Sequence, residues 1–213
     1  EYNREDFLNA EISAKELLLN KPDNKRYYVQ LSAIYNILEK YDLSLATIEV
    51  SYMKGLLEKP EEFQNLASFY LYKQNPAMSA KVLETALSNN KLEFDKANAK
   101  LLSDAWLFAK ERSRSLEVIE KSLNADPKDE KLVNQYINIA FSAFKWDEVI
   151  TGINRAEQIG VQDDGKHALM IGIAFFEKKN LKKAEDSFIE ASQSKKYADQ
   201  GKAWLEYLNA LRG

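Results

Sequence analysis

Residues 165–198 read GKHALMIGIAFFEKKNLKKAEDSFIEASQSKKYA, and this stretch decides the fold. Its first half carries small and apolar residues at intervals of three or four, which places them on one face of a helix. These residues are Ala168, Ile171, Gly172 and Phe175. Its second half repeats the pattern after the polar turn at 177–180, with Leu181, Ala184, Phe188 and Ala191. The stretch therefore predicts two helices packed as a hairpin.

Small residues in this hairpin have a physical reason. Two helices that cross closely need a small side chain, such as Gly172 or Ala184, where their backbones approach, and large side chains fill the groove on either side. The offsets resemble the tetratricopeptide (TPR) consensus, which has an aromatic at position 4, Leu at 7, Gly or Ala at 8, Tyr at 11, Ala at 20, an aromatic at 24, Ala at 27 and Pro at 32. The resemblance implies a helical repeat of about 34 residues.

The same offsets fit four windows upstream, which begin at Lys25, Pro60, Lys96 and Glu130. With the window at 165, the starts lie 35, 36, 34 and 35 residues apart. Some positions depart from the consensus. Ser replaces Ala at position 20 in three windows, and Ile137 stands where Gly is usual, so we expect slightly wider packing there.

The pattern predicts an all-α fold, a right-handed superhelical solenoid of antiparallel helix hairpins in one domain over residues 1–213. We expect a half repeat at 3–22, repeats at 25–59, 60–95, 96–129, 130–164 and 165–198, and a capping helix at 199–213 that covers the last apolar edge. Asp129 and Asp164 are predicted helix N-caps. Because the half repeat lacks its first helix and Glu1 is not a natural start, we expect the natural protein to continue upstream.

Composition argues against several classes of function. The net charge of -3 does not suit a nucleic-acid binder. The absence of Cys excludes disulfides, thiolate metal sites and a Cys nucleophile. His167 is the only His, too few for a typical zinc site, and we expect it to be a surface or helix-end residue. No Gly-rich phosphate loop is present. We therefore expect a non-catalytic protein without cofactor or metal, and an enzyme is the weakest of three hypotheses.

A partner-binding groove is expected on the first helices of the repeats. In TPR domains that resemble this chain, groove residues come mainly from positions 2, 5, 6, 9, 12 and 13. Here these positions hold amides that suit the backbone of an extended peptide, and aromatic or Met side chains that offer apolar contact. The amides are Gln30, Gln64, Asn65, Asn134, Gln135 and Asn138, and the apolar residues are Tyr72, Phe108, Phe141, Met170 and Phe176. The alternative is that positions 12 and 13 pack against the neighbouring hairpin and the amides serve only solvation.

One TPR specialisation is not predicted. Chaperone-binding TPR domains hold a terminal carboxylate with Lys, Asn and Arg residues from three units. The matching positions of the first frame are Val29, Ala33, Asn65, Ala97 and Leu101, and only Asn65 fits. The frame that begins at 96 also lacks the full set. A carboxylate clamp for heat-shock chaperones is therefore not expected.

A narrower resemblance concerns three stretches. They are RYYVQLSAIYNILEKYDLSLATIEVSYMKGLLEKPEEFQNLASFYLY at 26–72, SAKVLETAL at 79–87 and GKAWLEYLNAL at 201–211. Together they resemble bacterial TPR proteins encoded beside TonB–ExbB–ExbD components. The resemblance implies a periplasmic protein that helps an inner-membrane complex drive outer-membrane uptake of iron complexes, and a cytoplasmic location is the alternative.

Two hypotheses about partners follow from these patterns. The first is a scaffold that binds an extended peptide or helix of another protein in the groove. The second is an assembly module that self-associates through its ends, with the first half repeat and the helix of Trp204 making the contacts.

Overall fold

The computed structural model describes residues 4–212 and shows only α-helices over that range, which confirms the all-α fold. Residues 3 and 213 of the predicted terminal segments lie outside the described residues. Four of the five predicted repeat starts, 25, 60, 96 and 130, are the first residues of helices, and at the fifth start, 165, the helix begins one residue later. The helices are α1 Arg4–Asn20, α2 Lys25–Ile37, α3 Tyr41–Met53, α4 Pro60–Tyr72, α5 Pro76–Ser88, α6 Lys96–Phe108, α7 Arg112–Ala125, α8 Glu130–Ser142, α9 Trp146–Gln158, α10 Lys166–Glu177, α11 Leu181–Ser192 and α12 Ala198–Arg212.

The described chain divides into two compact units, with the division between Asn98 and Ala99. In the first unit, α1 to α5 pack in chain order, each helix on the next. In the second unit, α7 to α12 do the same. Each unit is therefore a helical solenoid of consecutive hairpins. The right-handed superhelix and the single domain stay predictions.

The turn inside every hairpin uses the same backbone conformation. The fifteenth residue of each repeat has a left-handed φ of 57 to 66°; these residues are Glu39, Gln74, Lys110, Phe144 and Lys179. The N–H of the following residue bonds to the carbonyl five residues earlier, at 2.8 to 3.0 Å in all five turns. This left-handed cap satisfies carbonyl groups that the end of a helix leaves free. The backbone conformation thus recurs with the same period of 34 to 36 residues that the sequence pattern predicts.

Of the two predicted N-caps, one is confirmed and one is wrong. Asp129 accepts hydrogen bonds from two backbone N–H groups of α8, at 2.9 and 3.1 Å. At α10 the carboxylate of Asp163 accepts from the N–H of Gly165 and of the second helical residue, at 3.0 and 2.7 Å. Asp164 instead forms an ion pair with Lys196 at 3.0 Å. The left-handed φ of Gly165 (95°) marks the local bend at which the cap shifts by one residue.

Serines at the helix crossings form hydrogen bonds where the consensus has no polar atom. The hydroxyls of Ser32 and Ser44 lie 2.8 Å apart between α2 and α3, and those of Ser103 and Ser115 lie 2.8 Å apart between α6 and α7. All four serines are buried, and the hydrogen bond within each pair offsets the removal of the hydroxyls from water. Ser79, at the equivalent place in α5, is fully buried, and its hydroxyl has no hydrogen-bond partner within residues 4–212.

The remaining crossings use glycine. Opposite Ile137, α9 carries Gly152, where an added Cβ would lie 2.7 Å from Ile137 Cγ1. The small residue has therefore moved to the second helix, and the expected wider packing stays a prediction. In the last hairpin a Cβ on Gly172 would lie 2.6 Å from the ring of Phe188, which is fully buried.

The last helix covers this apolar surface. The ring of Trp204 on α12 stacks on Phe188 with centroids 5.1 Å apart and an interplanar angle of 11°. Leu208 is buried in the same cluster. The close fit continues at Gly201, where a Cβ would lie 2.5 Å from the backbone N of Ser192.

The buried serines predict opposite effects of one substitution at two equivalent sites. We expect Ser79→Ala to raise the free energy of unfolding by about 1 kcal/mol, because it removes a buried hydroxyl without a partner. We expect Ser44→Ala to lower it by about 1 kcal/mol, because Ser32 then loses its partner. Urea denaturation of both variants measures this difference, and equal shifts of the same sign would contradict it.

Candidate functional site

Amides at the fifth position of two repeats bind the next repeat. Gln64 Nε2 donates to Asn98 Oδ1 at 2.7 Å, and His167 Nε2 lies 3.0 Å from Asn134 Oδ1. Asn98 and His167 are both the third residue of the following repeat, and they are only 4% and 9% exposed. Gln64 and Asn134 therefore hold adjacent repeats together, a role that neither the groove prediction nor the solvation alternative gave to these amides.

Amides at the sixth position are available instead. Gln30 and Asn65 are exposed and Gln135 is half-buried. None of these three side chains makes a hydrogen bond within the part of the chain that the structure describes. The two neighbouring positions of one helix thus have different roles, one structural and one open to a ligand.

Four predicted residues come together in the second unit. They line a groove of about 700 Å³ along α6 and α8, which we call the α6–α8 groove. Phe108 is 64% exposed at the end of α6, and Gln135 has its free amide on α8. The lining residues are Leu107, Phe108, Lys110, Arg112, Lys131, Asn134, Gln135, Asn138, Ile139 and Ser142. The site combines an aromatic ring, amides and positive charge.

Three cations of this groove, Lys110, Arg112 and Lys131, were not predicted from the sequence. No carboxylate is among the lining residues. None of the three cations forms an ion pair within residues 4–212. A signal for Lys131 was present, because it occupies the second position of its repeat, one of the positions that line grooves in TPR domains.

His167 and Lys166 form the edge of the site on α10. Lys166 Nζ donates to Asn138 Oδ1 at 2.6 Å. His167 is a helix-end residue as expected, but it is buried and not on the surface. It is buried because its ring lies between Asn134 and Asp163, whose Oδ1 is 3.9 Å from Nδ1. Burial also raises the pKa of Tyr136, on the same helix as Asn134, to about 12.

A second groove lies in the first unit. It has a volume of about 570 Å³ and is mostly apolar, with walls from α2, α3 and α4. Two predicted residues, Asn65 and Tyr72, line it. The exposed ring of Tyr72 stacks on Phe69 with centroids 6.4 Å apart. Gln30 is not among the lining residues of either groove.

Three predicted apolar contacts are used inside the fold. Met170 is 6% exposed and belongs to the core cluster of α8 and α9, so its side chain cannot serve as a groove contact. Phe141 packs edge to face on Trp146 at 5.7 Å. Phe176 packs against Trp204 at 5.2 Å. Phe176 therefore contacts α12, beyond its own hairpin, as the alternative for position 12 predicts, whereas Phe141 contacts α9 within its own hairpin.

Two general features of the described chain bear on its chemistry. Among residues 4–212, no three His, Asp or Glu side chains are placed to hold a metal ion. Over the same range, no helix combines the length and the apolar character that crossing a membrane requires.

Solved structures share the fold. YrrB, described as a TPR protein with an unusual peptide-binding site, is 12% identical, with a TM-score of 0.53 over 84% of this chain and 90% of that chain. A MamA structure is 15% identical, with a TM-score of 0.55 over 78% of this chain and 94% of that chain. PilW, described as a widely conserved type IV pilus biogenesis factor, is 14% identical, with a TM-score of 0.52 over 94% of this chain and 91% of that chain. No protein-family model matches the chain, and no curated protein sequence matches it. These likenesses establish a TPR-like fold.

Two adjacent amides of α8 provide a test of their different roles. We expect Asn134→Ala to lower the free energy of unfolding by about 1 to 2 kcal/mol, because it leaves the buried His167 ring without its partner. We expect Gln135→Ala to change it by less than about 0.5 kcal/mol, because that side chain has no partner to lose. Urea denaturation followed by circular dichroism compares the two variants, and an equal loss would contradict the assignment.

Proposed function

We propose that this chain is a non-catalytic protein-binding scaffold that holds an extended segment of a partner in the α6–α8 groove. The observation that carries the proposal is the free amide of Gln135, which lies in one groove with the exposed ring of Phe108. A side-chain amide donates and accepts at once, so it can pair with the backbone of a peptide. An exposed aromatic ring offers the apolar contact that anchors such a segment.

The fold supports this proposal in two ways. The hydrogen bond between Asn134 and His167 of α10 holds this part of the groove in place, so little ordering is needed when a ligand binds. The groove volume of about 700 Å³ is in the range of ligand sites. The peptide-binding site described for YrrB, a protein of the same fold, is consistent with this use.

A random peptide library tests the proposal. We expect peptides selected on the chain to bind Gln135→Ala at least about fivefold more weakly than the unmodified protein, a loss of about 1 kcal/mol. The matched control is Glu117→Ala, at an exposed position of α7 outside the groove lining, and we expect it to leave the affinity unchanged. Fluorescence anisotropy measures both. Selected peptides whose affinity falls only in the control variant would refute the groove as the binding site.

We further propose a periplasmic role as an accessory of a TonB-dependent uptake system, with a cytoplasmic role as the alternative. The resemblance of 26–72, 79–87 and 201–211 to TPR proteins encoded beside TonB–ExbB–ExbD supports this proposal. Deletion of the gene should then reduce TonB-dependent uptake of iron complexes, and the protein should appear in the periplasmic fraction. Normal uptake together with a cytoplasmic fraction would refute it.

Self-association through the ends is the second candidate. One observation favours it: α1 exposes Leu8, Ile12 and Leu19, the last at 83%. Such side chains gain from burial against another surface. The Trp204 ring, in contrast, packs on Phe188 and Phe176 within its own chain, so we propose α1 as the contact. Light scattering over a range of concentrations would show a rising mass, and a constant monomer mass would exclude this candidate.

A further inference from the structure

The charges of the α6–α8 groove indicate the class of partner segment. Building on the proposed function, we infer that the groove takes an extended acidic segment with carboxylates at two places about five residues apart. Three observations support this inference. The cations of the groove form no ion pairs within residues 4–212, they lie at its two ends, and the length between them matches an extended segment of about five residues.

The positive charge of the groove is local and uncompensated. The whole chain carries a net charge of -3. Several lysines elsewhere form ion pairs, as Lys40 does with Glu11 and Lys54 with Asp23, while others, such as Lys128, form none within residues 4–212. Lys110, Arg112 and Lys131 form none within residues 4–212, and no carboxylate lines the groove beside them. A cationic cleft on an acidic protein attracts an anionic partner and disfavours a cationic one.

One of these cations occupies an unfavourable place for folding alone. Arg112 is the first residue of α7, where the helix dipole disfavours positive charge. The first turn of α7 holds no acidic residue, and the carboxylate of its N-cap residue, Glu111, forms no ion pair within residues 4–212. The neighbouring Lys110 adopts a left-handed φ of 66°. A bound carboxylate would relieve the electrostatic cost at this end of the groove.

The cations lie at opposite ends of the groove. Phe108 and Ser142 are the thirteenth residues of adjacent repeats, so both mark the same end, and Lys110 and Arg112 follow Phe108 directly. Lys131 lies at the other end, in the first turn of α8. The free amide of Gln135 lies between the two charged ends.

The distance between these ends sets the spacing of the carboxylates. At about 1.5 Å per residue, the length of α8 from Lys131 to Ser142 is about 17 Å. An extended peptide advances about 3.3 Å per residue, so roughly five residues cover that length. The segment would place one carboxylate pair near Lys131 and another near Lys110 and Arg112, with an apolar residue beside the second pair to contact Phe108.

The test uses the full chain and three fluorescein-labelled peptides. The acidic probe is Asp-Asp-Ala-Gln-Leu-Asp-Asp, the second peptide has Asn at each Asp, and the third has Lys at each Asp. We expect the acidic probe to bind at least about tenfold more tightly than the Asn peptide, with an affinity that falls as salt rises. The Lys peptide should not bind measurably.

Charge-reversal variants locate the contact. We expect Lys131→Glu and Arg112→Glu each to weaken binding of the acidic probe at least about tenfold. Lys128→Glu is the matched control, because Lys128 is exposed in the same unit and outside the groove, and it should change the affinity by less than about twofold. Circular dichroism checks that all three variants keep their helix content.

The possible outcomes separate the two proposals. Equal binding of the acidic and Asn peptides, with loss of both in Gln135→Ala, would overturn the acidic specificity and leave the peptide-binding groove standing. A similar loss in Lys128→Glu and Lys131→Glu would also overturn it, because the effect would then come from net charge. Failure of all three peptides, together with failure of the library selection, would refute both proposals.

Discussion

The close approach of the two helices within each hairpin is the constraint on which the rest of the structure depends. It requires one small buried residue at each crossing, and the chain meets this need in different ways. Two hairpins place paired serines there, as in Ser32 and Ser44, and others use Gly152 or Gly172. Because interiors pack densely, a large residue at these places would force the helices apart. The repeated left-handed turn at the fifteenth residue keeps the five repeats in the same register.

Constant register gives each position of a repeat a constant neighbour. This explains why Gln64 bonds to Asn98 and Asn134 lies against His167 in the same way, in two different units. The next residue along the helix points about 100° away from its predecessor, so Gln135 does not share the contact with α10. In the pairs Gln64–Asn65 and Asn134–Gln135, the first amide thus bonds to the next repeat, and we propose the second for ligand binding.

The fold could be predicted from the sequence because it rests on periodicity. The starts at 25, 60, 96 and 130 follow from fitting the offsets of the TPR consensus to the chain, and the structure begins helices there. The site was predicted less well, because the role of an amide depends on what faces it across the repeat. Only the structure distinguishes the role of Gln135 from that of Asn134, shows that Met170 is buried, and places Arg112 and Lys131 along one groove. One part of the site was predictable: a polar residue recurs at the third position of the repeat, as in Asn98 and His167, and could have indicated a bond to the fifth-position amide of the preceding repeat.

We propose that the groove along α6 and α8, the first helices of two repeats in the second unit, holds the partner segment. Nuclear magnetic resonance mapping tests it most directly, with backbone amide shifts of the full chain followed as a selected peptide is added. We expect the largest shifts to fall on the groove lining, between Lys131 and Ser142 and around Phe108. Largest shifts on the exposed face of α7, or on α1, would contradict it.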